Sequence, residues 1–154
     1  MNVLHTSRRN LRRGTRSKNP APLSPARHIV RTALGGFLAF AGVSHLTFAR
    51  DEFQAQVPNF VPLDTDVTVL ASGVVEIALG ASLIAARSRR RTVGLVAAGF
   101  FAAVFPGNLA QWIHHRDGFG LDTDTKRFVR LFFQPVLIAA ALWSTGALKG
   151  CRRK

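Results

Sequence analysis

Residues 67–86 read VTVLASGVVEIALGASLIAA, a run of twenty whose single charge is Glu76. A bilayer core about 30 Å thick takes about 20 mostly apolar residues in a helix. The run is too long for a strand. Gly, Ala and Ser are spread through it, as they are where membrane helices approach backbone to backbone. Working outward, three more stretches repeat the pattern. Residues 29–48 carry Arg31 near one end and His45 near the other, 92–113 carry no charge, and 129–148 have Arg130 at their edge. Taken over the whole chain of 154 residues, 47% hydrophobic and 19% charged would describe an ordinary soluble protein. The average misleads because the two classes are segregated, and no globule of this length has a core for four such segments. The sequence therefore predicts an all-α fold, a four-helix transmembrane bundle over 29–148, flanked by a basic tail at 1–28 and a short basic tail at 149–154.

Lys and Arg beside the spans set the orientation. Eight precede or enter span one (Arg8, Arg9, Arg12, Arg13, Arg16, Lys18, Arg27, Arg31), four lie in the RSRRR connection at 87–91, and four follow span four (Lys149, Arg152, Arg153, Lys154). If every span crosses, these share one face. The other face has five: Arg50, Arg116, Lys126, Arg127 and Arg130. It also holds seven of the eight acids, all but Glu76. Both termini are expected in the cytoplasm. The net charge of +13 then reads as topology and attraction to anionic headgroups, with Arg27, Arg31, Arg87, Arg89, Arg90, Arg91, Lys149 and Arg152 as headgroup contacts. Nucleic acid is not the expected partner, since the tail has no aromatics interleaved with its arginines.

The tail itself mixes Arg, Ser, Asn and Pro and cannot bury enough apolar area to offset its ordering entropy, so disorder is expected. Ser7-Arg8-Arg9-Asn10-Leu11 resembles a twin-arginine signal, but the apolar stretch begins late for one. An acid-poor Arg/Ser tail also resembles a transit peptide. A lipid-facing topology anchor is the simpler reading.

Chemistry concentrates in the outer half of the expected bundle. At 1.5 Å per residue, Glu76 lies roughly 14 Å deep, near the midplane, and His45 about 5 Å inside its own end. Asn108 and Gln134 fall in the outer thirds of spans three and four, and Ser72 lies one turn from Glu76. The inner half is nearly all aliphatic, Gly or Ala. An ionisable group at mid-membrane almost always faces the bundle interior and marks a partner or pathway. Glu76 with His45 reads as a proton-accepting pair or ligand clamp; a protonated Glu76 bonding across the bundle as packing glue is the plainer alternative. Ser72 and Gly80, four residues to either side, form a small-residue stripe around it. Pro106 and Pro135 each remove a backbone bond and predict kinks. Trp112 and Trp143 read as interfacial anchors. His114-His115 with Asp117 lacks a third ligand at a defined spacing, so no metal is expected. Cys151 is alone, which excludes an intrachain disulfide and a CxxC pair. There is no GxGxxG, Walker loop, HExxH or nucleophile elbow, and no catalytic residue is assigned. Asp66 is the expected N-cap of span two, and Asp122 or Asp124 that of span four. The short RSRRR connection makes spans two and three antiparallel neighbours.

Three motifs carry a resemblance: Gly36-Phe37, Phe40-Ala41-Gly42 and His45, followed by Pro58-x-Phe60-Val61-Pro62; Ser72-Gly73-x-x-Glu76-Ile77-x-Leu79-Gly80; and Phe105-Pro106-x-Asn108. In this order the chain resembles the DoxX family of small bacterial membrane proteins, over about 30–148. The resemblance implies a four-helix bundle in the bacterial plasma membrane, with His45, Glu76, Pro106 and Asn108 matching the family pattern. It also implies an association with quinol-oxidising or thiol-redox complexes. The missing cysteine pair argues against thiol chemistry by this chain alone.

The leading expectation is an accessory or assembly subunit, without catalysis of its own, packed against another membrane protein or a second copy and needing no cofactor. The alternatives are a quinone-linked redox subunit using Glu76 and His45 for proton transfer, and a small-solute or proton conduit. A quinone-linked role predicts an apolar cavity open to lipid near those residues, a conduit predicts polar groups through the inner half, and an accessory role predicts no sizeable pocket.

Overall fold

A computed structural model of the chain describes residues 22–150, with side chains for 22–148. The tail through residue 21, Cys151, Arg152 and the side chain of Lys149 lie outside the described residues, so the disorder, signal, free-thiol and C-terminal headgroup readings do too. Every regular element described is helical: α1 (Pro25–Leu46), α2 (Arg50–Gln54), α3 (Thr65–Ala85), α4 (Arg90–Ile113), α5 (Asp124–Leu131), α6 (Phe133–Thr145) and a final 3-10 turn (Ala147–Gly150). Four helical stretches are long and apolar enough to cross a membrane: α1, α3, α4, and Asp124–Thr145, which joins α5 to α6. The chain is an integral membrane protein with an all-α, four-span bundle.

The boundaries differ from the sequence reading for local reasons. Span one begins at Pro25, inside the stretch expected to be tail, because proline at the first helical turn loses no intrahelical bond and has a helical φ already fixed. Span two is capped by Asp64, whose Oδ1 accepts from the amides of Asp66 (2.9 Å) and Val67 (3.2 Å). Asp66, the expected cap, is instead forked by the Arg50 guanidinium. Span four is capped by Thr123 rather than by either aspartate. It is also interrupted: Pro135 has no N–H for the Leu131 carbonyl, and the helix breaks at Phe132, between the two. Pro106, by contrast, lies within a continuous α4.

Packing is pairwise. α1 runs along α3, α4 along α6, and α1 also meets α6. α3 and α4 share a short connection yet meet over a much smaller surface, so the expected pairing of spans two and three holds in sequence but not in packing. Glycine decides this. A Cβ on Gly42 would lie 2.5 Å from the Gly73 carbonyl oxygen, and one on Gly80 would lie 2.5 Å from the Gly35 carbonyl oxygen. In lipid there is no hydrophobic drive between helices, so close backbone contact at such positions supplies the association. At the other crossing, the space beside Gly94 of α4 is filled by the Thr145 side chain of α6.

The two ends of the bundle are chemically unlike. The basic end carries Arg27, Arg31 and the 87–91 connection; the loop end carries the 47–64 and 114–123 segments. Between them a dry plug of Leu34, Leu38, Leu83, Ala97, Ala98, Phe101 and Ala141 closes the half of the bundle nearer the basic end. Toward the loop end, next to the plug, lies a cavity.

Candidate functional site

Glycine packing places the first pair of polar groups. Gly73 and Gly80 lie three residues before and four residues after Glu76, so the face that α3 presses on α1 is the face that carries the acid. A Cβ on Gly73 would strike the His45 Cβ at 2.8 Å. The result brings Glu76 Oε2 to 3.1 Å from His45 Nδ1, with the two residues 7% and 6% exposed. That nitrogen is 2.8 Å from the Ala41 carbonyl oxygen. A carbonyl only accepts, so Nδ1 carries hydrogen and directs it down its own helix. Glu76 Oε2 is consequently buried with no hydrogen bond. An unpartnered carboxyl oxygen out of water costs about 1–3 kcal/mol or more.

The second pair comes from the other helices. Asn108 Nδ2 donates to Gln134 Oε1 at 3.2 Å, and Gln134 Nε2 donates to the Phe101 carbonyl at 2.7 Å. Pro106 deprives the Ala102 carbonyl of its partner within the helix, and the amide of Gln134 donates to the carbonyl just before it, that of Phe101.

Both pairs line one cavity of about 580 Å³, together with the half-buried Ser72 and with Gln56 and Arg130. All five polar residues of the expected cluster therefore share one space. The remaining wall is largely aromatic and aliphatic, and part of its rim (Phe37, Phe40, Phe48, Phe60) is more than half exposed. Phe37 and Phe40 lie on α1, where an exposed phenylalanine faces hydrocarbon, whereas Phe48 and Phe60 belong to the loop end.

The loop end forms a roof. The Phe53 ring of α2 stacks on His45 with centroids 3.3 Å apart, and Phe119 meets Phe53 edge-on at 4.5 Å. Phe119 holds a left-handed φ of 56°, and the Arg130 guanidinium lies 5.2 Å from its ring. Arg116 ties the two loops by donating to the Val57 carbonyl (2.8 Å) and to Asn59 Oδ1. Arg127, only 5% exposed, is held by Asp117, Asp124 and the Arg116 carbonyl. Gly107 leaves room for the Gln56 carbonyl, which would be 2.7 Å from a Cβ there. Just before span four, the Asp122 carboxyl is held below its ordinary range by the Lys126 ammonium.

Phe53, Phe119, Gln56 and Arg130 were not legible as site residues, because loop residues show no depth in a hydropathy pattern. Arg130 was visible only as a charge at a span edge. His115 pairs with Asp124 at 2.7 Å, and among the described residues no three His, Cys, Asp or Glu side chains gather around a metal-sized space. At the basic end, Arg87, Arg89 and Arg91 are exposed, and Arg27 is half-buried. Arg31 and Arg90 correct the expectation. They are 5% and 8% exposed; Arg31 reaches across to the Ala86 carbonyl at the end of α3, and Arg90 opens α4.

A family model described as a domain of unknown function, DUF8561, matches residues 34–145, which include parts of all four spans and every residue of the two polar pairs. No curated protein and no solved structure matches the chain.

Proposed function

We propose that this chain, which belongs to the DUF8561 family, is a ligand-binding accessory subunit of a membrane redox complex, taking a quinone-class molecule from the bilayer into its cavity. The observation that carries the reading is a carboxyl oxygen with no hydrogen bond, buried on the wall of an apolar cavity whose rim is exposed phenylalanine. A plain packing role needs no such space. A through-going conduit needs polar groups where the aliphatic plug lies. A molecule with a flat apolar body and carbonyl oxygens fits the lining. The Asn108 and Gln134 amides and Arg130 supply donors, and Glu76 is the group able to exchange a proton with a bound oxygen, with His45 as its charge partner. Electrons come from elsewhere, since the chain has one cysteine and no dinucleotide motif; hence the accessory role and a redox-active partner.

The DoxX-like motif set belongs to this proposal, as does the orientation, with the basic end in the cytoplasm of a bacterial plasma membrane.

Equilibrium dialysis of the purified protein in mild detergent against a short-chain benzoquinone tests the binding. Wild type should bind saturably, Glu76→Gln should still bind, and Ala103→Trp, which fills the cavity, should not. Absence of saturable binding by wild type would overturn the ligand. In vesicles reconstituted with the co-purified partner, wild-type quinone-dependent proton uptake by Glu76→Gln would overturn the proton role.

A further inference from the structure

The cavity that holds Glu76 and His45 continues into a second space. A groove of about 910 Å³ lies between α1 and span four, and both spaces are lined by Phe37, Asn108, Phe119, Arg130, Gln134 and Leu137. The groove crosses the break in span four, with Val129 on the α5 side and Phe133 on the α6 side. Its α1 wall runs from Ile29 to Phe37, about 12 Å at 1.5 Å per residue. The crossing of α1 with α3 is shut by backbone contact at Gly42 and Gly73. Along the groove, by contrast, Ile29, Phe37, Val129 and Phe133 are at least half exposed, which on a span means open to hydrocarbon.

The two ends of the groove differ. Toward the basic end its lining is Ile29, Val30, Ala33 and Ala140, all apolar. Toward the loop end stand Lys126, Arg130 and the Asn108–Gln134 pair. Lys126 is taken by Asp122. Arg130 lies over the Phe119 ring and makes no hydrogen bond or salt bridge among the described residues. A guanidinium is a fork of donors with no acceptor of its own, and one set against hydrocarbon favours an oxygen in front of it. An oxygen-bearing head at Arg130 with an apolar chain running toward the basic end matches this polarity.

Resting on the quinone-class ligand put forward above, we propose that the ligand carries a long isoprenoid tail. Its ring lies in the cavity, Arg130 donates to the ring oxygen beside the tail, and the tail leaves through the groove between α1 and span four, which is also the way in from the bilayer. A tail gains little by leaving lipid for protein, so the groove acts through fit and selects among ligands.

Displacement of a tritiated untailed benzoquinone from the full chain in detergent, by the untailed ring or by its diprenyl homologue, tests this. Micelle partition is common to all variants and cancels between them. Ala33→Trp, at an exposed groove position outside the cavity, should weaken the tailed ligand several-fold and leave the untailed one unchanged. Ala102→Trp, at an exposed position of α4 lining neither space, should leave both unchanged, and Arg130→Gln should weaken both. A homologue with a diazirine at the tail's end should label the 29–33 and 133–140 stretches, and excess untailed quinone should remove that label. Equal effects of Ala33→Trp on the two ligands, or label elsewhere, would overturn the tail groove. So would label that the untailed quinone leaves in place, which would make the groove an ordinary acyl-chain surface. Unchanged binding by Arg130→Gln would overturn its contact with the ring. Failure of wild type to bind the untailed ring would instead overturn the quinone reading itself.

Discussion

Glu76 sits where the physical argument is sharpest, because its environment gives it shelter without a hydrogen bond. His45 Nδ1 is near but committed to Ala41, so replacing the carboxyl at residue 76 breaks no hydrogen bond. Glu76→Gln should therefore melt within about 1 kcal/mol of wild type, or above it, since a carboxyl without a hydrogen bond is replaced by an amide of the same shape. Thermal unfolding in detergent measures this; a large loss would mean that the carboxylate is held by a bond that matters to folding. Gln134 is the contrasting case. Both ends of its amide are used, one by Asn108 and one by the Phe101 carbonyl. Gln134→Leu should cost about 1–3 kcal/mol in the same measurement, the usual penalty for stranding buried partners. The sequence showed both residues as polar groups at depth. Their bonding was not legible, because partners come from helices whose rotation no periodicity fixes.

Among the elements, the α1–α3 pair carries the bundle, and its glycines are not equivalent. Gly42 faces backbone across the crossing, whereas a methyl group on Gly36 would have nothing within 4 Å. Gly42→Ala should destabilise by about 1–3 kcal/mol through overpacking. Gly36→Ala should be neutral or stabilising by up to about 1 kcal/mol through helix propensity. Thermal unfolding of the two variants side by side checks the contrast, and equal effects would remove the close crossing as the organising contact. The small-residue stripe was readable around Glu76, since Gly80 and Ser72 recur at helical spacing. That α3 would spend it on α1 rather than on the adjacent α4 was not readable, because a short loop fixes nearness and not the packed face. The loop end has its own chemistry: Asp122 is held low by Lys126, a depressed carboxylate, so its contribution is present above the ordinary carboxylate range and is lost as pH falls through the lowered value. Hydrogen exchange should show the 114–123 loop loosening at acid pH before the spans do.

For the whole molecule, the separation of charge makes topology the decisive observable. Reporter fusions should place both ends of the chain in the cytoplasm, with the loop end and its roof over the cavity outside. Ends found on opposite sides would require one stretch not to cross, and with it the shared cavity would fall. Length, segregation of charge from apolar runs and the single mid-span acid determined four span-length helices, an all-α bundle and polar groups gathered in one half of it, because the cost of exposing polar backbone or charge to hydrocarbon leaves few alternatives. Tertiary structure alone decided that the polar groups divide into two pairs facing one cavity, that two loop phenylalanines roof it, and that Arg31 and Arg90 turn inward. Those outcomes depend on which helix faces touch, and in a bilayer that is settled by the fit of surfaces at glycine crossings, which one-dimensional patterns of hydrophobicity do not encode.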